Sequence, residues 1–271
     1  MTMADDVSDI QAYYDGCFEK ENIRLERHQQ ERDITWRYLD KFLPASGTIL
    51  EIGAATGAYT VPLAKKGYRV TAVDLSSKSI EACKKRAVEE GLGKKVSCYI
   101  ADGRELEGVP GKNFDAVLLM GPLYHLVDKI DREKTVRQAY DRLKKGGVIF
   151  SAFVSRYGIW GNIMTELPHL IDRQEDLRSV LEKGKDVKVP EGGFRGYFAT
   201  PEEIRPLHEE AGFKTLVLAG VEPSNTVADE AYKNLEGERR NLWLNLLFTI
   251  STQPSIIGAS DHLLYIGVKE G

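Results

Sequence analysis

Cysteine is scarce in this chain: its 271 residues include only Cys17, Cys83 and Cys98. Their number is odd, their spacing wide, and no Cys-x-x-Cys pair occurs, which argues against a disulfide framework and a cysteine-rich zinc site. Long apolar runs are also missing. The longest are strand-sized, well short of the roughly 20 residues that cross a bilayer. The first nine residues hold three aspartates and no apolar stretch, so no secretory leader is expected, and the expectation is a cytoplasmic protein without membrane attachment. Positive charge is not in excess: 37 Lys and Arg stand against 41 Asp and Glu, a formal net charge of −4. That balance disfavours a broad nucleic-acid surface. No internal repeat and no low-complexity linker interrupt the chain. A content of 42% hydrophobic residues at this length suffices to bury a core without cross-links.

Short apolar runs alternate with helical patterns. Thr48–Ile52 reads as a first strand ending at Gly53, with a helix-like stretch Tyr59–Lys66 behind it. Tyr68–Asp74 reads as a second strand. Ser76 or Ser77 caps a helix reaching Glu90, and Val96–Ile100 makes a third strand. Phe114–Met120 is apolar almost throughout, as a strand covered on both faces should be. A helix over Arg132–Lys144, stopped by Gly146-Gly147, leads to a fifth strand, Val148–Val154. This alternation predicts an open α/β fold with a parallel sheet, whose ligands bind beyond the carboxyl ends of the strands. Two helices are expected over residues 8–43. Thr200-Pro201-Glu202-Glu203 is a capping-box helix start. Strands follow near 216–221 and 262–268, with a helix of about 228–250 between them.

Those strand ends carry the polar residues of interest. Glu51-x-Gly53-x-x-x-Gly57 spans the first strand-to-helix turn, where glycine allows positive φ and close approach of a ligand. Asp74 closes the second strand, 17 residues after Gly57, placed to accept both hydroxyls of a ribose. Asp102 follows the third strand in Ala101-Asp102-Gly103, placed to accept from the exocyclic amine of an adenine. Each carboxylate alone would also suit an ordinary surface position; their arrival together at the ends of one sheet is what points to a nucleoside.

Taken together, ILEIGAATG (49–57), TAVDLS (71–76), ADG (101–103), FDAVLLMGPLYHL (114–126) and LKKGG (143–147) resemble the class I S-adenosylmethionine-dependent methyltransferase family. The GPLYHL segment looks like a small-molecule bacterial branch, since it departs from the Asn-Pro-Pro-Tyr or Asp-Pro-Pro-Tyr signature of amino-methyltransferases. The resemblance implies a Rossmann-like sheet with helices on both faces, an N-terminal helical cap and an inserted lid after the fifth strand. It implies one domain over 1–271: cap 1–46, cofactor-binding core 47–154, lid 155–199 and a C-terminal part of the sheet, 200–271. S-adenosyl-L-methionine would be the cofactor and S-adenosyl-L-homocysteine the product. Glu51 would position the methionine amino group above Gly53, Ala54, Ala55 and Gly57. Asp74, with Leu75 beside it, would hold the ribose, and Asp102, with Gly103, would face the adenine. The backbone of Met120 and Gly121 would meet the amino-acid part, and Arg24 would pair with its carboxylate. At the position of Ala55 the family often has glycine.

Methyl transfer from a sulfonium is an in-line displacement with a neutral leaving group, so it requires alignment and exclusion of water but no metal. A base is needed only where the acceptor arrives protonated or weakly acidic. His125, just past the fourth strand, is the candidate, with a helix-capping or core role as its plain alternative. Tyr124, Trp160, Arg195 and Tyr197 are candidate acceptor contacts, with Tyr13, Tyr14 and His169 also near the expected pocket, Tyr14 as a cofactor contact. Aromatics suit a cationic sulfonium, and they equally suit a core. The rival readings are an NAD(P)-dependent oxidoreductase, which would want Gly-x-Gly-x-x-Gly where this chain has Gly-x-x-x-Gly, and a non-catalytic S-adenosylmethionine-binding regulator. The acceptor, the atom methylated and the oligomeric state stay open at this point.

Overall fold

Glycine turns and helix caps cut the apolar runs into eight strands. They are β1 (Thr48–Ile52), β2 (Arg69–Asp74), β3 (Val96–Ile100), β4 (Phe114–Leu119), β5 (Leu143–Ser155), β6 (Phe198–Ala199), β7 (Phe213–Gly220) and β8 (His262–Lys269). The structure, a computed structural model, describes residues 6–22, 25, 28–185, 195–223 and 226–270. The strands join in one sheet of order β3-β2-β1-β4-β5-β8-β7, with the short β6 added to the end of β5. All neighbours are parallel except β8, which runs antiparallel to both β5 and β7. Order reverses between β1 and β4, so their carboxyl ends open the crevice where such sheets bind ligands.

Alternation along the strands divides two cores. Ile49, Ala116 and Leu118 enter one core, with Ile34, Tyr38 and Leu247 of the helices Gln29–Phe42 and Gly237–Ile250. Leu50, Val117 and Leu119 enter the other, with Val136, Ala139 and Ile204 from Lys129–Arg142 and Pro201–Glu209. Side chains on successive strand residues point to opposite faces, which is why the central strands β1 and β4 are apolar at most positions.

Several boundaries differ from the sequence reading. Gly146-Gly147 do not stop a helix: the helix ends at Arg142, and β5 already pairs at Leu143 with Phe114. The next pairing, Ala116 with Val148, shows that the intervening residues bulge out of register, with Gly146 at φ +74°. The helix expected over about 228–250 is broken into Thr226–Lys233 and Gly237–Ile250, with Gly237 at φ +54° at the break. A further helix, Pro254–Ala259, leads into β8. The capping box at Thr200 forms, its N–H donating to Glu203 Oε2 at 2.8 Å.

Candidate functional site

The turn after β1 is built on positions that reject side chains. Gly53 (φ +80°) donates its N–H to the Val73 carbonyl at 2.8 Å, and a Cβ there would lie 2.5 Å from Pro122 Cδ. Gly57 (φ +86°) is as confined, with a Cβ falling 2.8 Å from Cys83 Sγ. Only glycine meets both requirements. Ala55, between them, also has positive φ, +45°, so it holds a conformation that costs an L-residue energy. Asp74 pins this turn to the end of β2: its Oδ2 accepts the Ala55 N–H at 2.8 Å and its Oδ1 the Ser76 N–H at 2.9 Å.

Around the turn lies a cleft. Its floor holds Glu51, Gly53, Ala54 and Ala55; Asp74 and Leu75 form one flank, Asp102 and Gly103 another, and Met120 and Gly121 the far side. Glu51 is 1% exposed on a central strand, with the Thr60 hydroxyl donating to its Oε2. Burial pushes its carboxyl up to about 8 against the Thr60 hydrogen bond, and the charge of Asp74 adds to the rise. Arg104 grips Asp102 with Nε and Nη2, at 2.6 Å for Nη2 to Oδ2, and reaches Asp131 Oδ2 with Nη1 at 2.6 Å. The Asp102 carboxylate is therefore oriented before any ligand arrives. Tyr124 donates to the Met120 carbonyl at 3.2 Å across the turn Pro122–Tyr124.

The N-terminal helix, Ser8–Asn22, crosses the mouth of the cleft with Ile10, Gln11 and Tyr14 facing in. Three polar contacts latch it. Asp15 accepts from Ser76 Oγ at 2.5 Å. Asp9 pairs with Arg195, whose Nε donates to Oδ2 at 2.8 Å. Tyr14 meets His125 Nε2 at 2.6 Å. His125 Nδ1 lies 3.0 Å from the Arg195 carbonyl, which can only accept, so Nδ1 carries the proton and Nε2 receives the Tyr14 O–H. Burial lowers the His125 imidazole to about 4, keeping it neutral.

The expected site residues thus divide. Tyr14, Glu51, Gly53, Ala54, Ala55, Asp74, Leu75, Asp102, Gly103, Met120, Gly121, Tyr124 and His125 all line one cleft. Gly57 sits behind it, shaping the turn against Cys83. Arg24 lies outside the described residues. Three acceptor candidates do not line the cleft. Tyr197 is buried beneath the Arg132 guanidinium, 3.4 Å from its ring centroid, because the strand beginning at Phe198 pairs with Val154 and turns Tyr197 toward the helix Lys129–Arg142. Trp160 packs against Val154, Ile159 and Val180. The Arg195 side chain is committed to Asp9. His169 is exposed, and Tyr13 stacks edge-on to Tyr14 with centroids 5.3 Å apart. Asp9 and Asp15 were not foreseen, since nothing local in the sequence ties them to partners 186 and 61 residues away, and neither was Arg104, although its partner Asp102 is only two residues off. Thr56 was missed as well: it is 1% exposed, lines the cleft, and its hydroxyl has no hydrogen-bond partner among the described residues.

These features fit an adenosyl amino acid. The tight turn at Gly53 brings bare backbone to the cleft, the buried Thr56 hydroxyl has no hydrogen-bond partner among the described residues, and the carboxylates of Glu51, Asp74 and Asp102 line one groove. Among the described residues no helix is long and apolar enough to cross a membrane.

Comparison with known proteins agrees with this geometry. Residues 49–147 match the family model described as a methyltransferase domain. The chain is 33% identical over 109 residues to a ubiquinone biosynthesis O-methyltransferase of Caulobacter vibrioides, covering 40% of this chain and 41% of the relative. It is 28% identical over 188 residues to an S-adenosyl-L-methionine-dependent Diels-Alderase of Talaromyces variabilis, covering 69% of this chain and 58% of the relative. A SAM-dependent methyltransferase structure from Methanosarcina mazei superposes with a TM-score of 0.58 at 19% identity, covering 86% of this chain and 97% of that one. Matches to the O-methyltransferase relatives span half or less of their own length. Residues 49–147 are thus similar to a methyltransferase domain, and the sheet order is that of a fold shared with a SAM-dependent methyltransferase structure.

Proposed function

We propose that the chain is a methyltransferase that uses S-adenosyl-L-methionine to methylate a small molecule. The observation that carries this reading is the single cleft at the β1/β4 crevice, with Glu51, Asp74 and Asp102 at three strand ends and a latched helix over its mouth. The latch supports a small acceptor, since a macromolecular one would have to displace it; no nucleic-acid partner is part of the proposal. The cofactor supplies a methyl group on a sulfonium, which passes in line to a nucleophile and leaves a neutral thioether. Glu51 would balance the methionine ammonium, Asp74 would accept from the ribose, Asp102 would accept from the adenine amine, and Met120 and Gly121 would hold the amino-acid part.

Tyr14 and His125 deal with the acceptor. Tyr14 stands on the wall of the cleft, and its O–H is directed to His125 Nε2, so its own oxygen is polarised as a hydrogen-bond acceptor. It accepts a hydrogen bond from the acceptor's N–H or O–H and orients the attacking lone pair, and that proton is released to solvent once the methyl group has transferred. His125, lowered to about 4, holds Tyr14 in place rather than storing a proton at neutral pH. His125 is a positioning residue in this scheme and Tyr14 the group in contact.

Thermal shift tests the reading: S-adenosylhomocysteine should stabilise the protein and NADH should not. The opposite pattern would turn the assignment to an oxidoreductase. Tyr14→Phe and His125→Ala should each slow methyl transfer to a small-molecule extract more than they weaken S-adenosylhomocysteine binding. Full activity in both would retire the pair. The Diels-Alderase relative favours a second reading, a cofactor held without being consumed. Product formation without stoichiometric S-adenosylhomocysteine would select it.

A further inference from the structure

Two of the three cysteines meet behind the Gly57 turn. Cys83, on the helix Ser77–Glu89, is fully buried, and Cys98, on β3, is half-buried. Both are free thiols, and their Sγ atoms lie 3.9 Å apart, in direct contact, although 15 residues separate them in sequence. Cys83 packs with Ala54 and Ala72 in a small apolar cluster that Cys98 completes from the side of the sheet edge.

A disulfide holds its sulfurs about 2.05 Å apart, so the pair has to close by about 1.9 Å. The architecture allows that movement. β3 is the edge strand of the sheet and pairs with β2 alone among the described strands, so Cys98 can shift toward the helix without breaking a second ladder. The two thiols also differ as a stepwise oxidation requires: an oxidant in solution reaches Cys98, whereas Cys83 is shielded and can act only on its neighbour. The hydrogen bond between the sulfurs holds the Cys98 thiol below its usual value against burial, and the same bond and burial push the Cys83 thiol up, so Cys98 is the readier nucleophile.

We propose that Cys83 and Cys98 are a modification site, which a peroxide converts into an intramolecular disulfide that staples the helix Ser77–Glu89 to β3. In the first step the Cys98 sulfur attacks a peroxide oxygen: an S–O bond forms, the O–O bond breaks, and the departing hydroxide leaves as water with the thiol proton. In the second the Cys83 sulfur attacks the Cys98 sulfenic acid: the S–S bond forms, the S–O bond breaks, and hydroxide leaves as water with the Cys83 proton. Two thiols and one hydrogen peroxide thus give one disulfide and two waters, the thiols losing two electrons to the peroxide. The staple closes a short loop that the unfolded chain would otherwise leave open, so the oxidised protein resists unfolding better than the reduced one. Nothing in this step depends on what the cleft binds.

The test uses the full chain, reduced with dithiothreitol, desalted and treated with hydrogen peroxide in slight molar excess. Intact mass should fall by about 2 Da, the two hydrogens lost, and dithiothreitol should restore it. Digestion without reductant should join the peptide carrying Cys83 to the one carrying Cys98. Tm of the oxidised chain should stand about 4 °C or more above that of the reduced chain. Neither Cys83→Ser nor Cys98→Ser should show the mass loss or the Tm rise, and Cys17→Ser should show both as the wild type does. Should the buried Cys83→Ser fail to fold, the half-exposed Cys98→Ser decides. Addition of oxygen to Cys98 without a cross-link, a cross-link that includes Cys17, or an oxidised Tm no higher than the reduced one would each overturn the proposal.

Discussion

Glu51 should couple cofactor binding to release of a proton. Its carboxyl sits on a central strand with no solvent and titrates at about 8. At pH 7 such a group is ionised in roughly one molecule in ten. Pairing with the ammonium of the cofactor requires the ionised form, so binding at pH 7 costs on the order of 1 kcal/mol and releases close to one proton. Affinity for S-adenosylhomocysteine should climb about tenfold per pH unit between roughly pH 5.5 and 7.5. Isothermal titration in two buffers of different ionisation enthalpy would read that proton directly, and Glu51→Gln should flatten the slope. The sign for stability runs the other way. A carboxyl raised from 4.5 to about 8 favours the folded, cofactor-free protein fully below pH 4.5 and loses that contribution as pH rises through 8. A Kd constant across the range, with heats independent of buffer, would refute the placement of Glu51 beside the ammonium.

Other substitutions separate the remaining elements of the site. Asp74→Ala removes the acceptor for two backbone N–H groups as well as for the ribose, and calorimetry should show S-adenosylhomocysteine affinity down tenfold or more; unchanged affinity would contradict the assignment. Ala55→Gly relieves the positive φ at that turn and should stabilise by about 1 kcal/mol, seen as a Tm higher by about 2–4 °C. His208 is wholly buried between Ile204 O and Ser151 Oγ and is lowered to about 4. Its contribution is complete above pH 6.5 and is lost as pH falls toward 4, about 3 kcal/mol in all. Urea unfolding of His208→Gln at pH 7 and pH 4.5 should show most of that acid sensitivity gone.

Much of the scaffold could be read before any coordinates. The strands β1 to β4 fall within a residue or two of where the apolar runs place them; β1 and β4, covered on both faces, are apolar at most positions, while the edge strand β3 is half-exposed. Glu51, Asp74 and Asp102 were legible because strand ends in an open α/β sheet point at one crevice, so position along the chain already implies position in space. The ends of the helices around Gly146 and Gly237 were less legible. A glycine in the left-handed region serves a bulge or a helix break as readily as a helix stop, and neighbouring pairings decide between them.

Local pattern therefore accounts for the carboxylate-lined cleft, whose parts follow the ends of four successive strands, β1 to β4. The cover over it arises otherwise. Tyr14 reaches His125, 111 residues away, and Asp9 reaches Arg195, 186 residues away, and no periodicity in either segment announces its partner. The same holds for Glu222 between His28 and His262. Such pairs exist because the folded sheet brings remote segments to one edge, where buried charges must find partners or be neutralised.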